Sequence, residues 1–128
     1  MPIIKHILFI LMCMKMQSIF AQLNAQEIEQ KTYQYYLDEK WKPLIKYGKD
    51  VAKSGYDEYY FNLRLGIAYL KKFNYYKAAD YFKKALKNDA NSDVANEYLY
   101  WCNLFMDDEK KAAEYYALLP VDVQNKIK

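Results

Sequence analysis

At 128 residues the chain has room for one domain, and its 53% hydrophobic and 27% charged residues place it among folded rather than disordered proteins. Its formal charge is +3, and three Gly with three Pro are too few for the tight turns of a sandwich or barrel, so long helices are expected. Fifteen Tyr, six Phe and two Trp make 18% of the chain aromatic, more than a small core needs, which puts some rings on a surface that meets something.

Residues 1–21 read as an export signal. Lys5 and His6 form a basic start, Ile7 to Met14 an apolar run, and Ser18-Ile19-Phe20-Ala21 offers a small residue to cleave after, leaving a domain over 22–128 that begins at Gln22. The apolar run is stopped by Lys15 and falls short of the roughly twenty residues of a bilayer span, with an uncleaved amphipathic anchor as the alternative. Cys13 follows Ile10-Leu11-Met12, which lacks the small residues of a lipid-modified cysteine. Cleavage would remove Lys5 and Lys15 and no acid, lowering the charge from +3 to +1 and leaving no basic field to attract nucleic acid. Cys102 would then be the single cysteine, with no disulfide to make, and an exported lone thiol is expected to be buried.

Three helix pairs follow, at about 26–54, 58–88 and 92–118. In the first, Trp41, Leu44, Gly48, Val51 and Ala52 form one helical face, Pro43 sits in a first turn, and Gly55 follows Ser54 where the helix should end. In the second, Leu65, Gly66, Ala68 and Tyr69 mark one helix. Its partner carries Tyr75, Ala78, Ala79, Phe82, Ala85 and Leu86, with Asn74 as N-cap. In the third, Leu99, Cys102, Leu104, Ala112, Ala113, Tyr116 and Leu119 stand 34 residues after Leu65, Ala68, Leu70, Ala78, Ala79, Phe82 and Ala85. A step of 34 in the other direction takes Tyr75, Ala78, Phe82, Ala85 and Leu86 to the five residues of the first pair, and Asn74 steps forward to Asp108, so the period holds without an insertion. Gly48 replaces the ring that the later pairs carry as Phe82 and Tyr116, which predicts close helix approach or a gap filled by a neighbour. A short C-terminal tail begins where Pro120 can open a last turn.

Leu65-Gly66-Ile67-Ala68-Tyr69, followed by Tyr75, Ala78, Phe82, Ala85 and Leu86, resembles the tetratricopeptide repeat (TPR) at its characteristic positions. The departures are Asn62 where the consensus often has Trp, Phe73 where Gly is common, and Ala90 where Pro usually closes the repeat; Thr32, Gly48, Tyr100 and Asn103 depart in the flanking copies. The resemblance covers about residues 25–120 and implies an all-α, right-handed stack of three antiparallel helix hairpins, an α-solenoid whose first helices form a concave wall that commonly holds peptides. The run Leu63 to Trp101, ending in Glu97-Tyr98-Leu99-Tyr100-Trp101, is also similar to the repeat segment that begins some exported envelope proteins of Gram-negative bacteria. That likeness implies a periplasmic or envelope location, as a free-standing relative, a fragment or a truncated product.

Catalysis is largely excluded by inventory. Residues 22–128 hold no His, one Cys and two serines, Ser54 and Ser92, so neither a Ser-His nor a Cys-His pair nor a His/Cys metal site can be assembled, and no Gly-rich phosphate loop is present. Asp57-Glu58 and Asp107-Asp108-Glu109 sit at helix starts, where acids cap and oppose the dipole. No enzyme, cofactor or nucleic-acid partner is expected; a protein or peptide partner is.

Carrying the resemblance's inner-wall spacing onto this chain selects Tyr33, Tyr36, Tyr60, Leu63, Arg64, Ile67, Lys71, Tyr98, Trp101 and Phe105, an aromatic wall with two cations. The clamp by which chaperone-binding relatives hold a terminal carboxylate would fall on Glu29, Tyr33, Leu63 and Ile67, residue types that cannot make it. An apolar or aromatic peptide, or another domain's surface, suits this wall better. The competing expectations are that the rings close the stack's own core, that the wall packs permanently against another domain, or that stacked rings hold carbohydrate.

Overall fold

A computed structural model describes residues 1–128, apart from the side chains of Phe20 and Leu23; Phe20, in the expected cleavage segment, thus lies outside the described side chains. Helices α1 (Pro2–Leu37), α2 (Trp41–Lys53), α3 (Tyr59–Lys71), α4 (Tyr75–Asn88), α5 (Asp93–Phe105), α6 (Glu109–Ala117) and α7 (Val121–Ile127) follow in order, with no strand among the described residues. The three expected pairs are the C-terminal part of α1 with α2, α3 with α4, and α5 with α6. Helix α4 is packed between α3 and α5, which makes the middle pair the centre of the molecule.

The 34-residue period reappears in the backbone. Each hairpin turns through one residue in the left-handed region, Glu39 (φ 53°), Phe73 (φ 60°) and Asp107 (φ 57°), spaced 34 apart. The next residue's N–H then reaches back to close the preceding helix: Lys40 to Tyr35 O, Asn74 to Tyr69 O and Asp108 to Asn103 O, each at 2.9 Å. Asn74 and Asp108 each accept the N–H three residues on, at 3.1 Å, so both expected caps form. Lys40 stands at the same place in the first pair and has no acceptor, which leaves α2 without a side-chain cap.

A bulky L-residue in this region is strained by about 1–2 kcal/mol, and the Phe73 side chain, 78% exposed, gains little packing in return. Phe73→Gly is therefore expected to stabilise the protein by about 1 kcal/mol, after allowing for the looser unfolded chain. Thermal unfolding should show a rise of a few degrees; an unchanged or lower midpoint would mean that the turn carries no strain.

The core is a file of side chains running through the pairs: Leu44, Phe61, Leu65, Phe82, Leu99 and Cys102 are fully buried. Gly48 lets α3 approach closely, since a Cβ there would fall 2.3 Å from Leu65 Cδ2; the missing ring is thus replaced by a neighbour's Leu. Gly66 does the same for Phe82, whose ring lies 2.6 Å from where a Cβ would stand. Burial pushes the Cys102 thiol up to about 12, so it remains a protonated, inert part of the core. Gly55, at φ 85°, ends the first pair as expected, and Pro120 caps α7.

Burial also raises the phenols of Tyr47, Tyr69, Tyr81, Tyr98 and Tyr115, and it raises Tyr56 with added help from its hydrogen bond to Glu29. A phenol whose folded pKa lies above its unfolded value near 10 stabilises the fold while protonated and loses that contribution as pH rises past 10. Helicity followed by circular dichroism should hold up to about pH 10 and then fall cooperatively. Full helicity well above that pH would contradict the buried positions of these rings.

Helix α1 continues through the expected signal segment as one 36-residue helix. Among the described residues, the first one buried in the stack is Ile28; before it, Ile3, Ile7, Leu8, Phe9 and Ile10 are all at least half exposed. Counting the uninterrupted apolar run alone underestimated this segment. By length and composition α1 is apolar enough to cross a membrane, a property that signal sequences share.

Candidate concave interface

The first helix of each pair carries the expected wall residues: Tyr33 and Tyr36 on α1, Tyr60, Leu63, Arg64, Ile67 and Lys71 on α3, and Tyr98, Trp101 and Phe105 on α5. The structure divides them. Tyr33 (49%), Tyr60 (61%) and Phe105 (52%) are open to solvent and Lys71 is exposed. Ile67, by contrast, is 7% exposed and belongs to the core, which corrects its assignment to the surface. Leu63 is half-buried against that core. Tyr98 is stacked flat on Phe82 with ring centroids 4.7 Å apart, and Tyr36 meets Trp41 edge-on at 6.0 Å, so these two rings mainly close the stack.

Arg64 is likewise engaged inside the molecule. Its Nη1 donates to Glu29 Oε2 at 2.7 Å and to Thr32 Oγ1 at 3.0 Å, while the guanidinium lies 5.1 Å from the Tyr33 ring centre and 5.6 Å from that of Tyr60. Tyr56 adds a hydrogen bond from its hydroxyl to the other Glu29 oxygen, at 3.0 Å. One of the two expected cations of the wall is therefore neutralised, and its role is to bind α1 to α3 while holding two rings in place. The spacing of residues along each helix gave no sign of Glu29 as the partner, because that pairing depends on how one repeat rotates onto the next.

At the other end, Trp101 stacks on Phe105 at 6.3 Å, and Phe105 meets Tyr75 at 4.9 Å. Leu37 (53% exposed) and Val94 (48%) complete the apolar surface and were not among the expected residues. The signal was present: Leu37 lies four residues after Tyr33, and Val94 seven before Trp101, each on the same helical stripe. A cleft of about 700 Å³ lies away from the wall, along α2. Its lining includes Lys42, Lys46, Lys49 and Lys53 at helical spacing, an open lysine stripe whose chemistry differs from that of the wall.

No family model matches the chain, and no curated protein matches it. Solved structures do. Two mutant forms of MamA superpose on it, one with TM-score 0.68 over 82% of this chain and 73% of that one, the other with TM-score 0.65 over 76% and 54%. The chain thus spans about half the length of the latter. The fold is a TPR-like helical solenoid. At 18% identity the likeness concerns the fold alone. In a solenoid of this kind the first helices of successive repeats make an extended concave surface, and here that surface has an aromatic patch at each end joined by the half-buried side chains of α3.

Proposed function

We propose that the protein is a non-catalytic interaction module of the cell envelope, exported by way of residues 1–21, whose concave wall holds an apolar or aromatic segment of a partner protein. The observation that carries this reading is the set Tyr33, Leu37, Tyr60, Val94 and Phe105, each 48–61% exposed on the first helices of the pairs. Apolar side chains grouped on the inner face of a helical stack offer the aromatic anchors that dominate protein interfaces. Glu29 and Arg64 hold Tyr33 and Tyr60 in fixed positions, which lowers the entropy lost when a partner is bound.

A variant carrying Tyr33→Ala, Tyr60→Ala and Phe105→Ala leaves the fully buried side chains untouched and should keep parental helicity. Used as bait in an envelope extract, it is expected to retain at least about tenfold less of a partner held by the parent chain. Equal retention by both would mean that the wall is not the interface. Permanent packing against another domain is the second reading; it predicts association that does not exchange on dilution.

A further inference from the structure

The loop edge of the solenoid carries one recess twice. Between the first and second pairs, a recess of about 220 Å³ is lined in part by Ala52, Tyr56, Asp57, Asn62, Tyr81 and Lys84. Thirty-four residues on, a recess of about 450 Å³ is lined in part by Leu86, Ala90, Asn91, Asn96, Tyr115 and Leu118, the counterparts of those six in order.

The first recess is filled from within. The Tyr56 ring stands perpendicular to Phe61 at 5.2 Å, and Asn62, 1% exposed, donates its amide to Asp57 Oδ1 and to Asn88 Oδ1, the latter at 2.8 Å. In the second recess these fillers are gone. Ala90 stands in place of Tyr56 and Ala95 in place of Phe61, which removes two rings. Helix α6 ends at Ala117, so Asp122, the counterpart of Asn88, falls beyond Pro120 in α7 and pairs with Lys126 at 3.9 Å. Asn96 is 6% exposed, and its Oδ1, unlike the amide nitrogen through which Asn62 bonds Asp57 and Asn88, is an acceptor with no hydrogen-bond partner. A buried amide oxygen without a donor is costly, and it is satisfied when a ligand supplies one.

We propose that this recess takes an aromatic side chain bearing a hydrogen-bond donor, a tyrosine phenol or a tryptophan indole, from a partner polypeptide. The ring would occupy the space that Tyr56 fills one repeat earlier, against Leu86, Tyr115 and Leu118, with its O–H or N–H donating to Asn96 Oδ1. The site shares no residue with the concave wall and stands whether or not the wall binds a peptide.

The probe is p-cresol, titrated into the ¹⁵N-labelled full chain, with toluene as the control that lacks a donor. The expected result is a saturable shift at the Ala90 amide and the Asn96 side-chain amide, with toluene binding at least about tenfold more weakly. Ala90→Tyr rebuilds the ring of the preceding repeat and should abolish the shifts. Asn96→Leu provides an independent arm: it removes the acceptor and should bring p-cresol and toluene to within about twofold of each other. No saturable shift in the parent protein, equal affinity for the two probes there, or p-cresol binding that survives Ala90→Tyr would each overturn the assignment.

Discussion

Phe82→Ala is expected to destabilise the chain by about 3–5 kcal/mol, a large part of the total stability of a domain this size. Phe82 is fully buried, touches the place where Gly66 lacks a Cβ, and stacks on Tyr98, so it joins the middle pair to the third. Removing the ring forfeits its burial and leaves a cavity bounded by two helices that cannot collapse independently, because α4 is held from both sides. Urea unfolding should show the midpoint moved sharply down or the folded baseline lost. A cost below about 1 kcal/mol would mean that the repeats are not coupled through this ring.

The second large effect lies at the joint between the first and second pairs. Arg64→Ala is expected to cost about 1–3 kcal/mol, less than breaking a fully buried pair, since the side chains of Arg64 and Glu29 remain 14% and 33% exposed. The loss has three parts: the charge-assisted bond to Glu29, the contact with Thr32, and the support under the Tyr33 and Tyr60 rings. Arg64→Lys should restore little, because an ammonium cannot lie flat between two rings while reaching the carboxylate. A double-mutant cycle with Glu29→Gln should give a coupling of roughly 0.5–3 kcal/mol. Hydrogen exchange should localise the loosening to α1 and α2 while α4 and α5 stay protected. Additive single effects, or uniform loss of protection, would contradict the latch.

The helix pairs were legible because burial in a repeat stack obeys one spacing. Leu65, Ala68 and Phe82 recur at 34 residues as Leu99, Cys102 and Tyr116, and the side-chain caps Asn74 and Asp108 recur with them. Gly48 was readable for the same reason: an absent ring in a periodic series demands either a void or a neighbour, and Leu65 is that neighbour. The wall was only half legible. Helical spacing tells which side of α3 a residue occupies, but not how far α1 and α5 close over it. Ile67 and Tyr98 were therefore assigned to a surface when packing draws them inward, and Arg64 was counted as an open cation when Glu29, 35 residues earlier, satisfies it. Asn96 was invisible as a candidate, because the burial of its Oδ1 away from any donor depends on how the second and third pairs pack and not on helical spacing.

Residues 1–19 are almost all exposed and lie apart from the stack, so the wall can be tested independently of the proposed export. The exposed rings of the wall can be set against a still more exposed ring elsewhere on the same molecule. Tyr76, 75% exposed on α4, belongs to the second helix of its pair and provides that reference.

The most direct measurement is therefore photo-crosslinking in cells with benzoylphenylalanine placed at Tyr60 in one variant and at Tyr76 in another. The account predicts a discrete adduct to a partner protein from Tyr60 and none from Tyr76. Adducts of the same pattern from both positions, or from Tyr76 alone, would show that the concave wall is not where this protein meets its partner.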